Sequence, residues 1–298
     1  VAALLLTAAC GGGEQPVPAA PQRVVAIGDH ALELVLALGV VPVAVDDAAP
    51  DSSQVGPPGW LNTQFPELAG LSTFAGENDV TAIAKAKPDL IIADGRSSTS
   101  RERLTKVAAV LSLPGGTVDE FGIVANALGR QAEAGKIRQD RVDALERLRT
   151  EVIPDGGKAP SVSVVRWTAA GPTSTTDGSL RRLLTDAGLT VTAGVPGIAT
   201  PSTYAPFDAD HVFVGIDWSD PGDAFTNPVK EEQDGVASGE WQALPAVAAQ
   251  RSTGVDGSLW FPNAVPGLGD GQQLGPLAQL LVLQQVQDAL SGAAPSGS

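Results

Sequence analysis

Several shortages bound what this chain can do. It has one cysteine, Cys10, so no disulfide can close within it. It has two histidines, His30 and His211, too few for the convergent His and carboxylate ligands that grip bare Zn²⁺ or Mn²⁺. Lysine and arginine number 19 against 34 aspartates and glutamates, a formal net charge of −15, and no basic run could track phosphates. Nucleic acid is thereby excluded as a partner. Beyond the N-terminus no apolar run reaches the roughly 20 residues that span a bilayer. Catalytic signatures are missing too. GDHALE after the first expected strand is not G-x-G-x-x-G, and no G-x-S-x-G, P-loop or H-E-x-x-H occurs. The chain is expected to be neither an enzyme nor the holder of a resident cofactor.

What is present is globular: 298 residues, 43% hydrophobic and 18% charged, enough for one large core or two moderate ones. The organising stretch is 125–153, ANALGRQAEAGKIRQDRVDALERLRTEVI, free of proline. Ile137, Val142, Leu145, Leu148 and Val152 recur at helical spacing and predict one buried face, with charged residues on the others. Pro154-Asp155-Gly156 stops it.

The same plan stands on both sides of this strut. RVVAI (23–27), a polar turn, the helix ALELVLALG and PVAV (42–45) make a βαβ unit, which predicts parallel strands. A long Pro/Gly/Ser loop follows to 71, carrying Trp60; then come a helix over 79–87, the strand DLIIA (89–93), a helix over 102–113 and a short strand over 116–119. After the strut come SVSVVRW (161–167), LRRLLTDAG, a strand start at 190–192, HVFVGID (211–217), the strand GSLWF (257–261) and a helix over 274–290. The expected architecture is α/β: two lobes with mainly parallel central sheets joined by one long rigid helix. Residues 21–124 form the first lobe, 125–153 the connecting helix, 154–290 the second lobe and 291–298 a disordered tail.

The N-terminal stretch VAALLLTAAC-GGGEQPVPAAP resembles the end of a bacterial lipoprotein signal, cut before Cys10 and acylated on its thiol. Residues 1–20 are thus expected to be signal remnant and linker, holding the body outside the cytoplasmic membrane on a lipid. RVVAIGDHALELVLALGVVPVAVDD, AIAKAKPDLIIADG and WQALPAVAAQRSTGVDGSLW, in this order, resemble the solute-binding proteins of ABC importers for iron-siderophores and cobalamin. The resemblance covers about 21–290. It implies a ferric siderophore captured between two lobes by a monomer and handed to an importer permease.

In open α/β sheets ligands collect beyond the carboxyl ends of the strands. Those ends carry Asp29 and His30, the Trp60 loop, Arg96, Arg166 and Trp167, Trp218 and Trp260. Trp60, Trp167, Trp218 and Trp260, with Tyr204 on the rim, are expected as flat walls for a chelate, and Arg96 and Arg166 as forks for its oxygens. Trp241 and His211 are expected to be structural, and His30 to cap its helix or face solvent rather than bind metal. The acidic residues by which the family docks on its permease fall at Thr81 and near Ser202; Glu77, Asp79 and Asp208 are the neighbouring carboxylates that could replace them. Haem, with Tyr204 or His30 as axial ligand, cobalamin, and a non-transport envelope lipoprotein are the alternatives.

Overall fold

The computed structural model describes residues 15–46, 57–94, 98–114, 119–153, 157–174, 178–195, 197–216, 228–262 and 274–292. The first lobe runs β1 (Val24–Ile27), α1 (Asp29–Ala37), β2 (Ala44–Asp46), α2 (Gly59–Gln64), β3 (Ser72–Phe74), α3 (Val80–Lys85), β4 (Leu90–Asp94), α4 (Ser98–Leu104) and β5 (Ala109–Leu113). Its sheet has the order β3-β2-β1-β4-β5, every pair parallel. Helix α5 (Glu120–Leu128) then packs on the first-lobe core, and α6 (Gln131–Val152) crosses to the second lobe. The second lobe runs β6 (Ser161–Thr168), β7 (Gly171–Ser174), α7 (Gly178–Asp186), β8 (Thr190–Val191), β9 (His211–Ile216), α8 (Pro228–Val236), α9 (Gly239–Gln242), α10 (Pro245–Ala248), β10 (Ser252–Val255), α11 (Gly257–Trp260) and α12 (Pro276–Ser291). Its sheet is β10-β9-β6-β7, with β8 beside the first half of β6. Only the β6–β7 hairpin is antiparallel among the described pairs.

The expected two-lobed α/β fold is therefore the observed one. The strut is shorter than the sequence suggested. Gly129, at φ 66°, ends α5 in a left-handed cap, and the Arg130 N–H donates back to the Ala125 carbonyl at 2.8 Å. The long helix is α6, 22 residues or roughly 33 Å. Its two halves belong to different cores: Ala134 and Ile137 pack in the first lobe, Ala144, Leu145 and Leu148 in the second. Val142, expected on the buried face, is 50% exposed.

Two further elements differ from expectation. The segment 109–113 is strand β5, not the end of a helix, because Ala109 and Leu113 are buried in parallel register with Leu90 and Asp94. GSLWF is the short helix α11, since Asp256 accepts from the N–H and the hydroxyl of Ser258 and starts a turn. The strand of that region is β10, just before it. The strand expected at 116–119 falls, but for Asp119, outside the described residues.

Candidate functional site: the seam between the lobes

The carboxyl ends of the two sheets face one seam. α2, downstream of β2, touches α11, which follows β10 directly. Trp60 in α2 is half-buried and packs against the cores of both lobes. The C-terminal helix also crosses the seam. Leu277 in its first turn packs on the first-lobe core, and Ala278, Val282, Leu283 and Val286 lie in the second. A second helix thus ties the lobes, where the sequence had suggested one.

The first-lobe wall is built from carboxylates. Gly28 turns β1 into α1 at φ 91°, and a Cβ there would collide with Asp94 Oδ2. That close approach lets Asp94, the last residue of β4, accept the Ala31 N–H at 3.0 Å and cap α1. His30 Nε2 lies 2.9 Å from Glu120 Oε2, both largely buried. Asp46, the last residue of β2, accepts the Gly76 N–H at 2.9 Å. Deeper in, Glu33 is 4% exposed and accepts the Ala278 N–H at 2.8 Å, in the first turn of α12. Burial pushes its carboxyl up to about 7, against the opposing pull of the α12 backbone N–H groups and His30. Sequence reasoning missed this contact. Its signal was a glutamate within ALELVLALG, a stretch otherwise apolar enough to be buried on all sides.

The second-lobe wall is aromatic inside and sparsely charged at its edge. Arg166 lies near the carboxyl end of β6, in register with Gly215 and Thr173, and is part-buried. Trp167, one residue on, faces the opposite side of the sheet. It is 1% exposed and makes edge contacts with Trp241 at 5.4 Å and Tyr204 at 6.3 Å. Tyr204 is enclosed by Trp167, Phe207 and Trp241, and burial raises its phenol above the ordinary value. Trp260 stacks on Phe213 at 4.9 Å and donates its Nε1 proton to Gln285 Oε1 at 2.6 Å.

The aromatic walls expected from the sequence are thus distributed differently. Trp167, Tyr204 and Trp260 are packing residues, because their faces are spent on neighbouring rings and aliphatics of the second-lobe core. Trp60 and Arg166 stay part-exposed at the seam. Arg96, Trp218 and Cys10 lie outside the described residues. Of the docking carboxylates, Asp79 caps α3 through the Ala82 N–H and Asp208 accepts the Ala246 N–H, while Glu77 is part-exposed. His211, as expected, serves structure, with Nε2 at 2.8 Å from Thr253 Oγ1. Among the described residues no helix is long and apolar enough to cross a membrane, and no group of His, Cys, Asp and Glu could hold a metal ion.

Comparison with known proteins bears on this geometry of two α/β lobes with their sheet ends turned to a helix-bridged seam. No family model matches the chain. It is 30% identical over 162 residues to the probable siderophore-binding lipoprotein YfiY of Bacillus subtilis (strain 168), a match of 52% of this chain and 47% of that protein. The chain thus spans about half the length of the curated relative it matches. The Staphylococcus aureus protein SirA superposes with a TM-score of 0.67 at 21% identity, covering 90% of this chain and 98% of SirA. FhuD2 from the same organism, with bound ferrioxamine B, gives 0.62 at 15% identity, covering 92% of this chain and all of FhuD2 (100%). At these identities the structural matches establish the fold, and the fold is theirs.

Proposed function

We propose that this chain is the extracytoplasmic binding component of an ABC importer and holds a ferric siderophore in the seam between its lobes. The observation that carries the reading is the convergence of both sheets' carboxyl ends on one seam, in a chain 30% identical over 162 residues to a siderophore-binding lipoprotein. Arg166 and Trp60 are the described residues placed to meet a ligand there. A lipid on Cys10 would tether the domain to the membrane, and Glu77 is the carboxylate best free to meet a permease arginine. Two crossing helices allow small changes of lobe angle and oppose wide opening, which suits a receptor that signals loading by a slight closure. Haem is disfavoured as the cargo: Tyr204 is sealed in the core and His30 is engaged by Glu120.

The test is intrinsic fluorescence of the domain from residue 20, titrated with ferric hydroxamate, ferric catecholate, haem and cobalamin. Saturable quenching by a ferric chelate, weakened in Arg166→Ala, is the expected result. Saturation by haem or cobalamin alone moves the cargo to that class, and no saturable response to any ligand removes the importer reading.

A further inference from the structure

Resting on the siderophore-binding reading for its cargo, we propose that Glu33 is the positioning residue of the seam. Itself buried, it fixes the first turn of α12 against α1 and so sets the angle between the lobes at which a ligand is held.

The two sides of this contact belong to different lobes. Glu33 stands one turn into α1, beside Leu32, Leu34 and Val35 of the first-lobe core. α12 is fastened to the second lobe. Its Ala278, Val282, Leu283 and Val286 lie in that core, and the Leu274 N–H just before it donates to Ser179 Oγ at 2.8 Å. Its Gln279 and Gln285 accept from Arg141 Nε and Trp260 Nε1, each at 2.6 Å. Against this frame Glu33 accepts the Ala278 N–H, and the N–H groups of Leu277 and Gly275 also favour its carboxylate. The fit is close from the second-lobe side too: a Cβ on Gly275 would collide with the Glu33 carboxyl. A carboxyl 4% exposed has little solvent to replace these donors, so a rotation that parts α1 from α12 costs their hydrogen bonds.

Burial also ties this contact to protons. His30, one turn earlier on α1, attracts the ionised carboxylate and is itself bonded to Glu120 of α5. Asp94 of β4 is turned to the Ala31 N–H, and Arg141 of α6 is engaged by Gln279 and Asp186. α12 carries no charged side chain before Asp288. Desolvation outweighs these pulls and holds the carboxyl at about 7, against 4.5 in water. Parting α1 from α12 rehydrates it, so a bound proton favours the fixed arrangement. That contribution is full below pH 4.5, declines as pH rises and is gone above about 7, where the equilibrium for parting has risen by at most about 300-fold.

The test uses this chain with its one cysteine replaced, Cys10→Ser, and spin labels at Glu67→Cys in the first lobe and Ser202→Cys in the second. Double electron–electron resonance reads the distance between lobes, and tryptophan fluorescence reads the affinity for ferrioxamine B, at pH 5.5 and pH 8. With Glu33 present, the distance distribution should widen and affinity fall severalfold from the lower pH to the higher. Glu33→Gln keeps an acceptor oxygen and cannot ionise, so it should hold the narrow distribution and the tighter affinity at both. Gly275→Ala presses on the carboxyl from the second lobe and should widen the distribution and weaken binding at both. Distances and affinities that neither variant changes at either pH overturn the role of Glu33, as does a pH response that Glu33→Gln retains in full. If ferrioxamine B binds none of these proteins while the distances respond as expected, Glu33 keeps its role and the siderophore reading falls for ferric hydroxamates.

Discussion

The two lobes share a plan and spend their chemistry differently. The first closes its core with aliphatics: Leu34, Leu38, Leu90 and Ile92 fill the space between α1 and an all-parallel sheet. Its polar groups gather at the strand ends. The second gathers the heavy aromatics, with Trp167, Tyr204, Phe207 and Trp241 on one sheet face and Phe213 and Trp260 on the other. The contrast teaches that tryptophan following a strand does not by itself mark a binding wall. In the second lobe the rings fill the space on both faces of a mixed sheet.

The sharpest way to break that contrast is Trp167→Ala against Trp60→Ala. Removing Trp167, fully buried against the rings of Tyr204 and Trp241, is expected to cost about 3–5 kcal/mol. Urea unfolding should show it, with little change in ligand affinity per folded molecule. Trp60→Ala should cost less stability and weaken ligand binding, because Trp60 stands half-exposed between the lobes. Equal stability costs, with binding lost only in Trp167→Ala, would reverse the assignment.

Next in size is Glu33, the first lobe's one deeply buried carboxylate facing the second-lobe helix. Its folded-state carboxyl is pushed up to about 7 from 4.5. The folded protein therefore holds a proton that the unfolded chain has released between these values. Glu33's stabilising contribution is full below pH 4.5, declines as pH rises, and is gone above about 7. The loss is at most about 3 kcal/mol. Unfolding midpoints at pH 5 and pH 8 should differ more in the wild type than in Glu33→Gln; identical pH slopes in the two would show that Glu33 does not titrate in this window. The smallest effect belongs to Asp210, which joins β6 to β9 at the far end of the second sheet. Its carboxylate, held below its ordinary value, accepts the Ser161 N–H and hydroxyl, each at 2.7 Å. Asp210→Ala should cost about 1 kcal/mol after solvent screening, read by thermal unfolding.

Much of this fold was legible because burial and periodicity agreed. The strands β1, β4, β6 and β9 are short apolar runs, and Gly39 and Gly188, at φ 71° and 86°, close α1 and α7 as their positions predict. Where two signals competed, the reading failed. Gly129 was passed over because helical periodicity continues on both sides of it. At 107–113 a run of apolar residues fits helix or strand equally, and its parallel partner β4 decides, which no local pattern contains. The site was less legible than the fold for the same reason. Strand ends could be located, but whether Trp167 or Tyr204 turns toward the seam depends on α8 and α9, whose Gly235 and Trp241 close over them. Glu33 was illegible because its partner lies 245 residues away.

That separation has a consequence for how the protein comes into being. Synthesis runs from the N-terminus, so β1, α1 and the rest of the first sheet exist long before α12 is made. Until then Glu33 has no helix end to receive it and Leu277 cannot cover the first core. The nascent first lobe therefore lacks both contacts until the residues of α12 have been made. One helix, made 245 residues after Glu33, thus serves the cores of both lobes.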